Sequence, residues 1–418
     1  MRLLPWRAVR PPSARQLAPL GVAGFRLLFL ATLGSSIGTL LAAVALAIDV
    51  KDRTNSGLWV GGVLIVEFLP TIVVGLVLGP LLDRLERRRL MVIADLVRAG
   101  VFAALPFATS AGQIVALALV AGLATGFFRP AVYAGVPNLV SDIQLGAANA
   151  LLQTVENVSW AVGPVLGGLL SAAWGPHTAY WVNAASFLVS AVLVARIPAR
   201  LLQSSTALTR GHWTDLKEGF STVLTSRPLL AVLLGWGIAS LGTGAISVSE
   251  VFMAKNTLDA GDFGYGLIYG GIGAGLVLGS IWSSTIVDRI GIARAYSGAL
   301  FVIALGFGVG AASPNIWVAA ACCVVGGVGN GIAVVCNALL VQRATRDEVR
   351  GRALTFVMSA TYTAMGIGIV LAGGLMPPDG ARWVWLAGAI SCVVASAVAY
   401  GFTRTEQGPA GQPEPAAN

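Results

Sequence analysis

The chain has 418 residues, of which 56% are hydrophobic and only 11% are charged, and its formal net charge is +8. Soluble domains carry about 25% charged residues, so this composition excludes a soluble globular protein and predicts an integral membrane protein. The four cysteines all lie within apolar runs, which argues against a disulfide or zinc framework.

Twelve apolar runs follow one another along the chain, and each is long enough to cross the hydrocarbon core, which takes about 20 residues in a helix. The runs do not alternate polar with apolar residues, as the strands of a membrane β-barrel do. The sequence therefore predicts an all-α fold with twelve transmembrane helices. The expected spans are residues 20–48, 57–80, 90–109, 112–135, 148–174, 178–197, 229–254, 263–286, 293–311, 314–341, 351–376 and 381–403.

The basic residues lie mainly on one side of these spans. If the N-terminus is cytoplasmic, 20 of the 27 Lys and Arg residues fall in the even-numbered loops and the two tails, and only 4 fall in the odd-numbered loops. The positive-inside rule then places both termini in the cytoplasm. Because topology accounts for the positive charge, we expect no nucleic-acid partner.

The longest polar stretch, residues 198–228, lies between the sixth and seventh spans. Within it, WTDLKEGFSTVL predicts a short amphipathic helix on the inner membrane surface. The stretch divides the chain into two groups of six spans. The expected parts are a cytoplasmic lead at 1–19, a bundle at 20–197, a linker at 198–228, a second bundle at 229–403 and a cytoplasmic tail at 404–418.

The two predicted bundles resemble each other at a constant offset of 205 residues (288 − 83 = 205). Matches at one register across four separate elements indicate an internal duplication. Two parallel, pseudo-symmetric six-helix repeats are typical of a secondary transporter. The offset relates Asp83 to Asp288, Arg84 to Arg289, Arg89 to Arg294, Gly122 to Gly327, Gly126 to Gly331 and Gly163 to Gly368.

The loop GPLLDRLERRRL, residues 79–90, gathers six charges between the second and third spans. It resembles the signature G-x-x-x-D-R-x-G-R-R of the major facilitator superfamily, with Glu86 in place of the second glycine. In that family the loop gates the rocking of the two bundles. The matching residues are Gly79, Asp83, Arg84, Arg87 and Arg88, and the second copy, VDRIGIAR, supplies Asp288, Arg289, Gly291 and Arg294.

Three further stretches resemble the drug:proton antiporter branch of the superfamily, which contains macrolide, multidrug and enterobactin exporters. They are FFRPAVYAGVPNLV (127–140), ANALLQTVENVSWAVGPVLGGLL (148–170) and DEVRGRALTFVMSATY (347–362). The resemblance implies proton-driven export of an amphipathic compound by alternating access.

Two alternative functions stay open. One is a lipid or lysophospholipid mover of the same fold. The other is a transporter-like sensor or a membrane enzyme. An enzyme would need a nucleophile–base or metal constellation, and the sequence contains no such pattern, no nucleotide-binding loop and no metal motif. We therefore expect no catalytic activity, no cofactor and no metal.

Ionisable residues within the predicted spans each need a partner or a function, because a charge near the bilayer centre is costly. Asp95 and Arg98 are spaced i,i+3 on the third span, which allows either a self-paired structural couple or a role in coupling. Arg129, near the inner end of the fourth span, has Asp83, Asp95 and Glu156 as possible partners, and we expect it to be a structural gate residue.

Three carboxyl groups are candidates for carrying the proton. Glu67 ranks first, because it lies midway along the second span with no basic residue within a helical turn. Glu156, beside Asn157 in the fifth span, ranks second. Glu250 ranks third and lies near the outer end of the seventh span, where we expect water to reach it. For each of them, a hydrogen bond to a neighbouring helix is the alternative interpretation.

Several polar and aromatic residues are candidates for lining a substrate cavity, with contacts between helices as the alternative. The expected partners are a small amphipathic substrate, protons and membrane lipids, and the expected state is a monomer in a bacterial inner membrane. The cavity candidates are Phe68, Trp160, Asn183, Trp236, Tyr269, Asn330, Asn337 and Tyr362.

Overall fold

The computed structural model describes residues 14–82, 85–202, 223–345, 347–377 and 379–404. Only the backbone is described for residues 14, 15, 68, 71–73, 75–82, 347–355 and 404. Helices are the only regular elements in these ranges, which confirms the all-α prediction. Most of the linker segment WTDLKEGFSTVL lies outside the described residues, so its amphipathic helix stays a prediction.

The described part of the chain contains twelve long helices, labelled α1 to α12 in chain order, besides a few shorter helical segments. Several extend beyond the predicted apolar spans, because a helix continues past the hydrocarbon boundary while its polar ends are solvated. They are α1 Ala23–Thr54, α2 Gly57–Leu82, α3 Arg87–Ala104, α4 Ala111–Leu139, α5 Asp142–Trp174, α6 Pro176–Ala195, α7 Arg227–Phe252, α8 Gly261–Ile290, α9 Ile292–Ala311, α10 Ile316–Ala344, α11 Asp347–Leu375 and α12 Ala381–Arg404.

Ten helices in the described ranges are long and apolar enough to cross a membrane. The other two long helices are α2 and α5. In α2 the apolar part with described side chains is the shorter segment Gly57–Glu67. Helix α5 carries polar residues through its first half, including Gln153 and Glu156. A multi-pass membrane protein is confirmed, and the count of twelve spans stays a prediction.

The chain divides into two compact units. Unit 1 comprises residues 1–53 and 63–209, and unit 2 comprises residues 54–62 and 210–418. The beginning of α2 therefore groups with unit 2, although the rest of that helix belongs to unit 1.

Glycines bring the same pairs of helices close together in each unit. In unit 1, a Cβ placed on Gly163 of α5 would lie 2.8 Å from Leu40 Cβ and 3.1 Å from the carbonyl oxygen of Ile37, both on α1. In unit 2, a Cβ on Gly368 of α11 would overlap the carbonyl oxygen of Leu241 on α7. The 205-residue offset therefore relates equivalent packing contacts, α5 on α1 and α11 on α7.

A second glycine pair repeats this arrangement. A Cβ on Gly122 of α4 would overlap the backbone of α2 at Val66, and a Cβ on Gly327 of α10 would overlap the backbone of α8 at Ile272. Small residues at helix contacts let two backbones approach closely, which is how helices associate in a membrane. The sequence repeat is thus also a repeat of helix packing.

One turn differs between the repeats. Gly291 joins α8 to α9 with φ +80°, a conformation that favours glycine. The residue at the matching position is Glu86, which has an extended backbone with φ −66° before α3. Its carboxylate forms an ion pair with Arg89, with Glu86 Oε2 2.7 Å from Arg89 Nε. Glu86 can therefore replace the second glycine of the motif, because the backbone at this position has a negative φ that any residue adopts.

The interior of unit 1 contains a charged pair. Arg98 Nη2 donates to Asp95 Oδ1, and Ser190 Oγ donates to Asp95 Oδ2 at 2.7 Å. The guanidinium carbon of Arg98 lies 4.3 Å from the ring centroid of Phe128 and 4.2 Å from that of Phe187. Both charged side chains are buried. Adding 205 gives Leu300 and Ile303 for the charged pair, so the second repeat fills the same place with hydrocarbon.

Replacing Gly368 by alanine tests the packing of α11 on α7. The added methyl group would force the two helices apart, at a cost of about 1–3 kcal/mol for an overpacked contact. Gly366→Ala on the same helix is the matched control, because a Cβ there meets nothing within 4 Å. We expect a lower thermal unfolding midpoint in detergent for Gly368→Ala alone. Equal midpoints for the two variants would contradict the contact.

Replacing Arg98 by isoleucine tests the buried pair. The single variant leaves Asp95 buried without its cation, and breaking such a pair costs about 3–5 kcal/mol. The double variant Asp95→Leu with Arg98→Ile copies the second repeat, and we expect it to recover most of the lost unfolding midpoint because a buried pair can be replaced by well-packed hydrocarbon. A double variant no more stable than the single one would argue that the charges are required for folding.

Candidate functional site

A charged cluster joins α4 to α5 on the surface of unit 1. Arg129 Nη2 donates to Glu156 Oε1 at 2.5 Å, and the hydroxyl of Tyr133 donates to the same oxygen at 2.9 Å. The Arg129 side chain is 53% exposed and that of Glu156 is 25% exposed. Of the three partners considered for Arg129, Glu156 pairs with it, Asp95 pairs with Arg98 instead, and Asp83 lies outside the described residues.

The Arg129–Glu156 ion pair is partly exposed although it lies at membrane depth. Charged groups at membrane depth face a bundle interior or a water-filled space rather than lipid. Arg129 and Glu156 both lie well inside their helices and both remain partly open at the surface of unit 1. The surface that carries them is therefore the strongest candidate in unit 1 for an aqueous pathway.

Helix α5 extends this surface with further polar side chains. Gln153, Glu156, Asn157 and Trp160 are spaced i, i+3, i+4 and i+7, so they share one face of the helix. The amide of Gln153 donates to Asn157 Oδ1 at 3.4 Å, and Trp160 is 39% exposed. A carboxylate, two amides and an aromatic ring thus lie together on one face of α5, with Arg129 of α4 paired to the carboxylate, and this combination suits an amphipathic ligand.

The two other candidate carboxyl groups have different environments. Glu67, on α2, is half-buried, and no ion pair or hydrogen bond joins it to a described side chain. Glu250, on α7, is only 3% exposed, and its Oε2 has no hydrogen-bond partner among the described residues. The expectation that water reaches Glu250 is wrong for this structure, because the end of α7 is enclosed by other parts of unit 2.

The cavity candidates differ in their burial. Asn183 is fully buried, and its Oδ1 lies against Gly38 of α1, where an added Cβ would be only 2.5 Å away. It is a contact between helices in this structure, so the cavity-lining alternative does not describe it. The side chain of Phe68 lies outside the described residues. The remaining candidates, apart from Trp160, are half-buried: Trp236, Tyr269, Asn330, Asn337 and Tyr362.

The loop motif is only partly described. Arg87 donates to the carbonyl oxygens of Ala134 and Leu202, each at 3.0 Å, so it ties the start of α3 to α4 and to the segment after α6. Arg88 forms an ion pair with Glu86, with Arg88 Nε 3.6 Å from Glu86 Oε1. Gly79 lies near the end of α2, and Asp83 and Arg84 lie outside the described residues. Asp288, Arg289 and Arg294 are exposed around the turn between α8 and α9.

A polar cluster at the end of α1 was not predicted. Asp49 is buried and accepts from Arg53 Nε at 2.6 Å and from the hydroxyl of Tyr180 at 3.0 Å. Arg53 also donates to the carbonyl oxygen of Ala108, which follows the end of α3, at 2.8 Å. The i,i+4 spacing of Asp49 and Arg53 was a signal in the sequence. Both residues lie beyond the predicted first span, 20–48, whereas the helix continues to Thr54.

Comparison with known proteins identifies the family. The model of the family described as "Transmembrane secretion effector" matches residues 14–413. The chain is 26% identical over 396 residues to the multidrug efflux pump Tap of Mycolicibacterium fortuitum, covering 91% of this chain and 96% of that protein. It is 20% identical over 371 residues to macrolide efflux protein A of Streptococcus pyogenes, covering 86% and 91%.

Solved structures show the same fold. A bacterial homologue of the iron transporter ferroportin, in its inward-facing state, has a TM-score of 0.75 at 15% identity and covers 91% of this chain and 98% of that one. The nucleoside transporter NupG has a TM-score of 0.69 at 14% identity and covers 92% and 99%. The chain therefore belongs to the transmembrane secretion effector family of the major facilitator superfamily, a family of transporters.

Proposed function

We propose that this protein exports amphipathic small molecules of drug or macrolide type, by alternating access and in exchange for protons. The observation that carries the proposal is the partly exposed cluster of Arg129, Glu156 and Tyr133 on a helix face that also bears Trp160. The names of the matched relatives, a multidrug and a macrolide efflux pump, support the substrate class. They do not favour a lipid mover or a sensor.

The setting that we propose follows from the charge distribution. With 20 basic residues on one side and 4 on the other, both termini lie in the cytoplasm of a bacterium and the protein spans the inner membrane. The compound then moves outward while protons move inward down their gradient. We propose that the protein works as a monomer of two six-helix bundles, 20–197 and 229–403, with membrane lipids around it.

Glu67 is the proposed proton carrier. Glu156 already has a cationic partner in Arg129, and Glu250 is enclosed in the interior of unit 2. Glu67 is half-buried, and no cationic side chain of the described residues pairs with it. A carboxyl group at membrane depth that is partly open and lacks such a cationic partner can take up and release a proton as its surroundings change.

Proton exchange at Glu67 provides the coupling. The charged and neutral forms of a carboxyl group prefer different hydration, so each form favours a different conformation of the transporter. Substrate binding on the α4–α5 surface favours one of the same two conformations. The proton gradient then drives export, because the proton and the substrate shift the same conformational equilibrium. Such coupling typically changes the affinity for one ligand by about 5–150-fold when the other is bound.

Replacing Glu67 by glutamine tests this mechanism. In a bacterium that lacks its own drug exporters, we expect the wild-type protein to lower the accumulation of ethidium and erythromycin, and a protonophore to abolish the effect. In Glu67→Gln the proton-driven decrease in accumulation, roughly 5–150-fold in the wild type, should be lost, because glutamine cannot exchange a proton. Exchange of ethidium across liposomes without a gradient should persist in the same variant.

Asp259→Asn is the matched control for this experiment. Asp259 is an exposed carboxylate with φ +49°, a conformation that asparagine tolerates. We expect it to behave as wild type at equal expression. Proton-driven export that survives in Glu67→Gln would move the coupling site to another carboxyl group. Unchanged accumulation of both compounds with the wild-type protein would refute drug export.

A further inference from the structure

Helices α3 and α6 of unit 1 pack against each other in opposite directions. Ser190 Oγ on α6 donates to Asp95 Oδ2 on α3 at 2.7 Å. Further along α3, the ring of Phe102 contacts the rings of Phe187 and Tyr180, which precede Ser190 on α6. The beginning of α3 therefore lies beside the end of α6.

Two shallow cavities open to the surface at this end of the helix pair. One, of about 230 Å³, lies between the two helices, and the other, of about 330 Å³, lies along α6. Each combines arginine with aliphatic side chains. The lining of the first includes Arg89 and Ile93 of α3 and Ala195 of α6, and that of the second includes Leu188, Val192 and Arg196 of α6.

Positive charge exceeds negative charge among the described side chains around these cavities. Glu86 is the shared acidic partner of two arginines, with its Oε2 2.7 Å from Arg89 Nε and its Oε1 3.6 Å from Arg88 Nε. The Arg89 side chain is nevertheless 76% exposed. Arg196 is exposed as well, and no ion pair joins it to a described residue. One carboxylate thus accompanies three guanidinium groups, and two of these are open to the surroundings.

The two open arginines lie at the depth where phospholipid phosphates are found. The predicted third span begins at residue 90 and the predicted sixth span ends at residue 197, so Arg89 and Arg196 both lie at a boundary of the hydrocarbon core. Towards the bilayer centre, Ile93 is 59% exposed, Leu188 is 50% exposed and Val192 is 52% exposed. A phospholipid with its phosphate at the arginines would place its acyl chains on these apolar side chains.

The second repeat lacks this combination of charge and apolar surface. The 205-residue offset takes Arg88 to Ala293 and Arg196 to Gly401. Both repeats share their packing glycines, so the helix packing itself does not require arginine at either position. The arginines at the α3–α6 end are therefore available for binding a ligand.

The chemistry of the site favours a ligand with a negative headgroup. A guanidinium group binds a phosphate through two parallel hydrogen bonds, which distinguishes arginine from a simple point charge. Basic pockets between transmembrane helices on the cytoplasmic side bind anionic headgroups in this way. A zwitterionic phospholipid also presents an amine, which the neighbouring arginines repel.

We propose that the end of unit 1 where α3 begins and α6 ends binds an anionic phospholipid, with its phosphate at Arg89 and Arg196 and an acyl chain along Leu188 and Val192. In the proposed topology this end faces the cytoplasm, so the lipid comes from the inner leaflet. The bound lipid joins the ends of the two helices and is a fixed component of unit 1. Binding does not depend on the proposed export function.

Native mass spectrometry of the purified protein in detergent tests the headgroup contact. We expect phosphatidylglycerol to bind more tightly than phosphatidylethanolamine with the same acyl chains. Arg89→Gln and Arg196→Gln should each weaken phosphatidylglycerol binding about fivefold, as expected for one cation near a membrane surface. Arg343→Gln is the matched control, because Arg343 is an exposed arginine in the last turn of α10 in unit 2. Equal binding of the two lipids by the wild type, or equal affinities in all three variants, would overturn the proposal.

Thermal unfolding separates a lost site from a damaged fold. Without added lipid, we expect the wild type and the double variant Arg89→Gln with Arg196→Gln to have similar midpoints. Phosphatidylglycerol should raise the wild-type midpoint, because a ligand that binds only the folded state stabilises it, and the double variant should need about 25-fold more lipid for the same rise. Glycerol 3-phosphate, which lacks acyl chains, should have no effect at the same concentration. An equal rise in both proteins, or an equal rise with glycerol 3-phosphate, would contradict a phospholipid site.

Discussion

Close contact between helix backbones at glycine is the constraint on which the rest of this structure depends. In a bilayer the lipid tails are as apolar as the side chains, so helices associate through van der Waals contact rather than through exclusion of water. Gly163 on α5 and Gly368 on α11 meet α1 and α7 at distances that no larger residue permits. Because both repeats use this contact, the register of α5 and of α11 is fixed to within one residue, and so is the direction of every side chain on them.

The fixed register places polar groups where the membrane tolerates them. In unit 1, Asp95 and Arg98 neutralise each other between two phenyl rings, in the interior and away from any surface. Arg129 and Glu156 neutralise each other at a partly open surface instead. The first pair is a packing element with charges, whereas the second remains accessible to ions, water and ligands. Two ion pairs of similar composition therefore differ in their exposure: the Asp95–Arg98 pair is buried and the Arg129–Glu156 pair is partly exposed.

The second repeat keeps the packing glycines and loses these charges. Leu300 and Ile303 replace the buried pair, and Val334 and Thr361 occupy the positions of Arg129 and Glu156. The duplicated fold needs its backbone contacts in both halves, but the energetic cost of buried charge only has to be met where a charge is used. The second repeat thus keeps the helix contacts that the fold requires and lacks the charged groups of the first repeat.

The sequence by itself determined the membrane class, the all-helical fold, the internal duplication and the family, because hydropathy, glycine spacing and the loop motif are properties of residues close together along the chain. Only the tertiary structure decided that Arg129 pairs with Glu156, that Glu250 is enclosed, that Asn183 is an interhelical contact and that Asp49 is held by Arg53 and Tyr180. The physical reason is that a helical sequence shows which residues share a face, whereas the partner of that face depends on how helices distant in sequence pack together. An ionisable residue in a span has the same sequence signature whether its partner is an arginine, a hydroxyl group or water.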